Sequence, residues 1–208
     1  MELTNTQAVF VLMGVLGFFA ALIGYAMKDS GTGRKVKKIF TQQAGKRDGT
    51  VVPPANKFAG PSLLFSVDDI EVSVDIVNGS RTRQCCLPGS TMIRARLPKK
   101  SQKQFSIFRE ETLERGEKVF GVQDIQSGDD AFDREFMIKG DDENFLKSVL
   151  TLTVSKQLLS SVGYNPIIEF TNGYFLLSVF HIVDSEEQLE NLIKTVLTFI
   201  ERLREVGS

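Results

Sequence analysis

The pattern of hydrophobic positions divides the chain into three parts. From Ala8 to Met27, twenty consecutive residues carry no charge, and a helix of that length spans roughly 30 Å, the thickness of a bilayer's hydrocarbon core. Residues 28–60 sustain no apolar period and are rich in Gly, Lys, Thr, Gln and Pro, which predicts a flexible basic linker. Residues 61–208 show strand and helix periods, which predict one globular domain of ordinary size.

The first half of this domain is predicted to be an antiparallel meander. Apolar and polar residues alternate from Ile70 to Ile76, the period of a strand with one buried face. Asn78-Gly79 then predicts a hairpin turn. Further strand-like runs follow, separated by turn residues. These runs are residues 81–87, 91–97, 104–109, 119–125 and 132–138.

The second half is predicted to fold as helix, hairpin and helix. Asp141 or Asp142 is expected to cap the first helix, which should run to about Ser161 because Gly163 favours a helix end. Asn172-Gly173 is the strongest hairpin signal in the chain. The two strands that it joins are predicted at residues 167–171 and 174–183.

Ser185 and Gln188 match a capping box, and the residues after them place apolar side chains on one continuous helical face. These elements together predict the α+β class, because a run of strands is followed by packed helices. The predicted order is an N-terminal transmembrane helix, then an antiparallel-sheet domain that ends helix-hairpin-helix.

The flanks of the apolar segment predict an uncleaved anchor instead of a signal peptide. The preceding residues, MELTNTQ, contain no Lys or Arg, whereas a secretory signal has a basic region there. The following residues are rich in Lys and Arg, and such flanks stay on the cytoplasmic side. We therefore expect a single-pass protein of the inner membrane, with its N-terminus outside and the domain at 61–208 in the cytoplasm.

Small residues form a stripe on one face of the predicted membrane helix. Gly14, Gly17, Ala21 and Gly24 recur at spacings of three and four, and small residues let a second helix approach closely. The stripe therefore predicts packing against another transmembrane protein or a second copy of this chain. Coincidence stays open as an alternative, because glycine is frequent in membrane helices generally.

A basic cluster follows the predicted anchor. Arg34, Lys35, Lys37 and Lys38 are suited to contact anionic lipid headgroups, at about 1 kcal/mol per charge. The alternative is that these residues only fix the orientation of the anchor. Residues 1–60 carry a net charge of +5 and the remainder −6, so the acidic domain is a poor candidate for binding nucleic acid.

The residues with chemical potential are few. Cys85 and Cys86 are adjacent and are the only cysteines, so we expect reduced thiols. His181 is the only histidine, which excludes a histidine-based zinc site, and its apolar surroundings favour a structural role. No cofactor, metal ligand or catalytic residue is predicted.

Two Gly-Asp-Asp triplets, at 128–130 and 140–142, leave one alternative open. Clustered carboxylates can hold a divalent cation or act as an acid and base. Turn and helix-cap chemistry is the favoured interpretation, because Gly-Asp is common in turns. An enzyme would draw its carboxylates from Asp129, Asp130, Asp133 or Asp141.

The run from Gly121 to Glu143 contains QDI, GD and FD followed by a spaced Phe and Lys. In this block the chain resembles an uncharacterised bacterial family of single-pass membrane-anchored proteins. Met137-Ile138 stands where that family commonly has valine, a change that a buried strand tolerates. The resemblance implies a bacterial, membrane-tethered domain, and it implies no catalytic residue.

Two functions fit these observations. The first is a non-enzymatic accessory or scaffold protein, with a cytoplasmic domain that binds other proteins; the stripe and the missing catalytic motifs favour it. The alternative is a sensor or a binding module for a lipid or small molecule, which the very apolar strand predicted at 174–183 favours.

Overall fold

The computed structural model describes residues 31–56, 59–81, 86–87, 89–98, 101–109 and 123–207. The predicted membrane helix, with its stripe, lies outside these residues, and so does Cys85. None of the helices in the described ranges is long and apolar enough to cross a membrane. The chain divides into two compact units, residues 1–35 and 36–208, and the second unit holds the sheet.

In the described ranges, nine strands form one antiparallel sheet: β1 (Thr50–Val52), β2 (Ala59–Val67), β3 (Ile70–Val77), β6 (Ser90–Arg96), β7 (Phe105–Phe108), β8 (Gln123–Ile125), β9 (Met137–Gly140), β10 (Ile167–Thr171) and β11 (Tyr174–Val179). Their spatial order is β1-β2-β3-β6-β11-β10-β7-β9-β8. Two short strands, β4 (Ser80–Arg81) and β5 (Cys86–Leu87), pair with each other. The predicted antiparallel α+β class is confirmed for this part of the chain.

The helices are α1 (Gly31–Lys46), α2 (Asp130–Glu135), α3 (Glu143–Val149), α4 (Leu152–Leu159), a 3-10 helix (Val162–Tyr164) and α5 (Glu186–Val206). Together with one face of the sheet, they enclose a single hydrophobic core. Phe199 of α5 packs on Phe175 of β11, with ring centroids 5.3 Å apart. The longest helix, α5, therefore lies over β11 at the centre of the sheet. Strands on both sides of β11 shield this contact from water.

The start of α5 follows the predicted capping box with one difference. The Ser185 hydroxyl accepts a hydrogen bond from the Gln188 amide at 3.2 Å, as a helix cap does. The Gln188 side chain reaches back to the amide of Asp184, at 3.0 Å, one residue beyond the cap. This second contact fixes the chain that enters the helix.

The hairpin at Asn172-Gly173 is confirmed. Both residues have positive φ, 54° and 78°, which is what a two-residue turn between twisted strands requires. Thr171 pairs with Tyr174 across the turn. The second strand ends at Val179, four residues before the predicted end. Beyond it, the Thr91 hydroxyl accepts from the Val183 amide and donates to the His181 carbonyl.

The largest difference from the sequence prediction lies in residues 28–60, for which the sequence predicts a flexible linker. Helix α1 occupies Gly31–Lys46, and its Val36, Ile39 and Phe40 are buried in the core. Gln43 is also fully buried, so the buried positions follow a helical spacing of three and four. Polar and glycine residues around them hide this short apolar face in the sequence.

Two other predicted elements differ in the structure. Phe132 and Phe136 do not belong to a strand: α2 ends at Glu135 and β9 begins at Met137, because the Asp129 carboxylate caps a helical turn. The helix predicted to run to Ser161 is interrupted at Leu150, and Thr151 caps the next helix.

Asn78-Gly79 does not close a hairpin of β3 with the strand that follows it. Instead β3 pairs with β6, and Val77 lies opposite Ser90. The short β4 and β5 strands occur between these partners. At the outer edge of the sheet, β1 is followed directly by Pro53-Pro54, which are exposed.

Candidate functional site: a groove on the open face of the sheet

The two faces of the sheet differ in composition. On β2, β3 and β6 the residues alternate between buried apolar side chains and exposed or half-buried side chains, many of them polar. The buried set belongs to the core. The exposed set, which includes Leu64, Glu71, Arg94 and Arg96, forms the opposite face, which we call the open face. Strand periodicity therefore places these side chains side by side.

A groove of about 650 Å³ lies on this face. Strand pairing brings its residues together, since Ser66 lies opposite Glu71, Glu71 opposite Arg96, and Arg96 opposite Tyr174. The groove is lined by Arg47, Asp48, Thr50, Leu64, Phe65, Ser66, Glu71, Val72, Ser73, Arg94, Ala95, Arg96 and Tyr174. It thus combines hydroxyls, charges of both signs, and two large exposed side chains.

Two of the groove's arginines are neutralised by carboxylates outside it. Arg94 donates to the Asp75 carboxylate at 2.6 Å, and the same carboxylate accepts from the hydroxyls of Ser62 and Ser73. Arg47 donates to Glu190 of α5 at 2.7 Å. The Arg47 guanidinium holds the pKa of the Glu190 carboxyl below its usual value.

Arg96 is held differently. Its guanidinium lies over the ring of Tyr174, 5.5 Å from the centroid, within the range of a cation–π contact. Glu71 stands directly opposite Arg96 on β3. Within the described ranges, the side chains of Glu71 and Arg96 form no hydrogen bond or ion pair. Both keep their full capacity to bind a ligand.

The residues proposed from the sequence lie elsewhere. Arg34, Lys35, Lys37 and Lys38 are exposed on α1, and their contact with a membrane stays a prediction. The stripe Gly14, Gly17, Ala21 and Gly24 and the thiol of Cys85 lie outside the described residues. None of these residues lines the groove.

Each Gly-Asp-Asp triplet has carboxylates that bind backbone amides, and the nearby Asp133 carboxylate does the same. Asp129 accepts from the Ala131 amide at 3.0 Å, and Asp133 accepts from the Ser127 amide at 2.9 Å. Asp142 caps α3 and accepts from Lys103 Nζ at 2.5 Å, a contact that lowers the pKa of Asp142 and raises that of Lys103. In the described part of the chain, no three His, Cys, Asp or Glu residues are grouped as metal ligands.

His181 lies in the loop after β11, where its ring contacts Tyr164 and the Gln188 side chain. Because the Gln188 carbonyl already accepts from Asp184, its amide nitrogen faces His181 Nε2 and must act as the donor. That contact favours the neutral imidazole. Partial burial lowers the pKa of His181, and the charge of Asp184 opposes this shift.

No protein-family model matches the sequence, and no curated protein matches it either. The fold is similar to the crystal structure of the mycobacterial trehalose monomycolate transport factor A, TtfA, with a TM-score of 0.59 and 10% sequence identity. The similarity covers 84% of this chain and 96% of that chain. It shows that the two proteins share a fold.

The groove was not found by sequence reasoning, although its residues carry a signal. Glu71 and Ser73 are polar positions of the alternating strand, and Arg94 and Arg96 are polar positions of another. Alternation indicates which residues share a face of one strand. It does not indicate which strands are neighbours, so the meeting of Glu71, Arg96 and Tyr174 could not be derived.

Proposed function

We propose that this chain is a membrane-tethered, non-enzymatic accessory protein of a lipid-transport system. The observation that carries the proposal is the fold shared with a transport factor across 96% of that chain. In the described ranges, three of the four carboxylates that an enzyme would draw on, those of Asp129, Asp133 and Asp141, bind backbone amides, which also favours a non-enzymatic role.

The tether in this proposal is the uncharged segment from Ala8 to Met27, with the globular domain on the cytoplasmic side. The stripe Gly14, Gly17, Ala21 and Gly24 packs on a transmembrane partner, since small residues permit close helix contact. The exposed basic residues of α1 lie on anionic headgroups. The resemblance of the block from Gly121 to Glu143 to bacterial membrane-anchored proteins supports the same arrangement.

The stripe is tested by co-purification of membrane proteins with the tagged full chain in mild detergent. The double variant Gly17→Leu/Ala21→Leu should lose the partner, because two bulky side chains prevent close approach. The matched control is Ala8→Leu/Ala26→Leu, which adds similar bulk on the opposite side of a helix with this spacing. Equal recovery of the partner with both double variants would refute stripe-mediated association.

The basic residues of α1 are tested by hydrogen exchange of the full chain in lipid nanodiscs. We expect slower exchange of α1 amides with phosphatidylglycerol than with phosphatidylcholine, because anionic headgroups attract the four cations. Replacing Arg34, Lys35, Lys37 and Lys38 by Gln should remove the difference between the two lipids. A difference that persists in this variant means that α1 senses the lipid by other residues.

A second candidate function is a binding module for a small molecule or lipid. The groove on the open face, of about 650 Å³, favours it, because ligand sites are concave surfaces with a few convergent polar groups. A ligand that prefers the native state must raise the unfolding temperature. Thermal shift of the full chain against lipids and metabolites tests this candidate, and a flat response contradicts it.

A further inference from the structure

The charges of the groove favour a ligand without net charge. Arg47 and Arg94 are paired with Glu190 and Asp75. The remaining charges are the carboxylates of Asp48 and Glu71 and the guanidinium of Arg96. An anion in the groove would therefore meet the two carboxylates, and a cation would meet the guanidinium. Either ligand would leave one of these opposed charges in an unfavourable contact. A neutral ligand that both donates and accepts hydrogen bonds can bind the carboxylate and the guanidinium groups without any like-charge contact.

Hydroxyl groups have this double capacity, because each donates one hydrogen bond and accepts two. Glu71 accepts only, while Arg96 donates only. The two side chains start from directly opposite positions on β3 and β6. Vicinal hydroxyls of one ligand can therefore accept from Arg96 and donate to Glu71 at the same time. The hydroxyls of Ser66 and Thr50 in the same groove add further weak partners.

Tyr174 supplies the apolar surface that such a ligand needs. The residue is 52% exposed although it is a large aromatic one, and Arg96 contacts its ring at 5.5 Å from the centroid. The C–H face of a sugar ring gains dispersion contacts on an aromatic ring. Leu64 in the same groove is 44% exposed, which offers a second apolar contact beside the polar pair.

We propose that the groove binds a neutral, polyhydroxylated ligand of the sugar class, with Tyr174 against the ring and Arg96 and Glu71 on its hydroxyls. The ligand is a free disaccharide or the headgroup of a glycolipid, since both present the same chemistry. The residues that line the groove are not those of the proposed anchor or of the stripe. It gives the small-molecule candidate a defined ligand class.

Saturation-transfer NMR of the full chain in phosphatidylcholine nanodiscs tests the site. The free probes are trehalose, maltose and sucrose, and the headgroup probe is a maltose-headed lipid added to the nanodisc. We expect transfer to at least one disaccharide or to the lipid headgroup. Transfer to the headgroup alone identifies a glycolipid as the source, and transfer to no probe overturns the proposal.

Variants of Tyr174 separate specific from incidental binding. Tyr174→Leu should weaken the affinity about tenfold, which corresponds to about 1.4 kcal/mol, whereas Tyr174→Phe should retain binding because the ring is kept. Equal affinity of the Leu and Phe variants contradicts the assigned role of the ring. If Tyr174→Leu unfolds, Glu71→Gln provides the second test, with a loss of several-fold expected for a hydrogen bond to a charged group.

Charged analogues test the neutrality of the site. Glucose 6-phosphate and glucosamine should both bind more weakly than the best neutral disaccharide, because each meets Glu71 or Arg96 with like charge. Preference for the phosphate or the amine overturns the proposed ligand class. The Tyr174→Leu variant should still co-purify the membrane partner, so failure of the groove is distinguishable from failure of the accessory role.

Discussion

Tyr174 and Phe175 are neighbours on β11, and their side chains lie on opposite faces of the sheet. Phe175 is 1% exposed and packs on Phe199 of α5, whereas Tyr174 is 52% exposed and contacts Arg96. The covered face is apolar and stabilises the fold. On the open face, the side chains of Glu71 and Arg96 form no hydrogen bond or ion pair within the described ranges, so their polar groups are available to a ligand. Alternate residues of one strand therefore differ in role: those on the covered face stabilise the fold, and those on the open face are available for binding.

The largest effect is expected from truncation on the covered face. Phe175→Ala should lower the free energy of unfolding by about 3–5 kcal/mol, because it removes buried surface and leaves a cavity against Phe199. Tyr174→Ala, the matched substitution on the open face, should cost no more than about 1 kcal/mol. Urea-dependent pulse proteolysis of the full chain in nanodiscs measures both. Similar losses of unfolding free energy for the two variants would contradict the difference between the two faces.

An intermediate effect is expected where α1 meets α5 at the margin of the covered face. Arg47 is mostly buried and binds both Glu190 and the fully buried Gln43. Arg47→Met should lower the free energy of unfolding by about 1 kcal/mol, since a charged hydrogen bond is lost while the apolar stem is kept. The same measurement applies here.

The control for this prediction is Lys46→Met, which breaks a neighbouring ion pair. Lys46 Nζ lies 2.7 Å from Glu186, but its side chain is 55% exposed, and exposed pairs contribute about 0–1 kcal/mol. We expect a smaller loss than for Arg47→Met. The reverse order would show that α1 is attached chiefly by its exposed charges.

The smallest effect is expected from titration of His181. Because its folded pKa is lowered from 6.5, the unfolded chain binds the proton more readily, and stability should fall as the pH falls through the range just below 6.5. The stability of the His181→Gln variant should lose this part of the pH dependence. Unfolding measured at pH 7 and at pH 5.5, conditions on either side of the ordinary histidine pKa of about 6.5, tests this; parallel curves for both proteins contradict it.

Local signals in the sequence were sufficient for the elements that depend on neighbouring residues. The Asn172-Gly173 pair predicted the hairpin turn, and the capping residues and the apolar period predicted the position of α5. The alternating strand from Ile70 was also found. In each case the chemistry that forms the element lies within a few residues, so no knowledge of the rest of the fold is needed.

The elements that were missed depend on distant contacts. Helix α1 has only a narrow apolar face, so burial of Val36 and Phe40 against the rest of the core decides its structure more than intrinsic preference does. The groove depends on pairing of β3 with β6 and of β6 with β11, strands separated by many residues. Alternation within a strand contains no information about such pairing.

The short edge strand β1 and the Pro53-Pro54 that follow it affect how copies of the protein associate at high local concentration. A tethered protein diffuses in two dimensions and meets its own copies often, and exposed strand edges join into aggregates when their amides are free. Proline has no amide hydrogen to donate, and β1 offers only three residues. In the membrane-tethered arrangement proposed above, these features disfavour merging of the sheets of neighbouring copies at this edge, and the proposed self-association would use another surface.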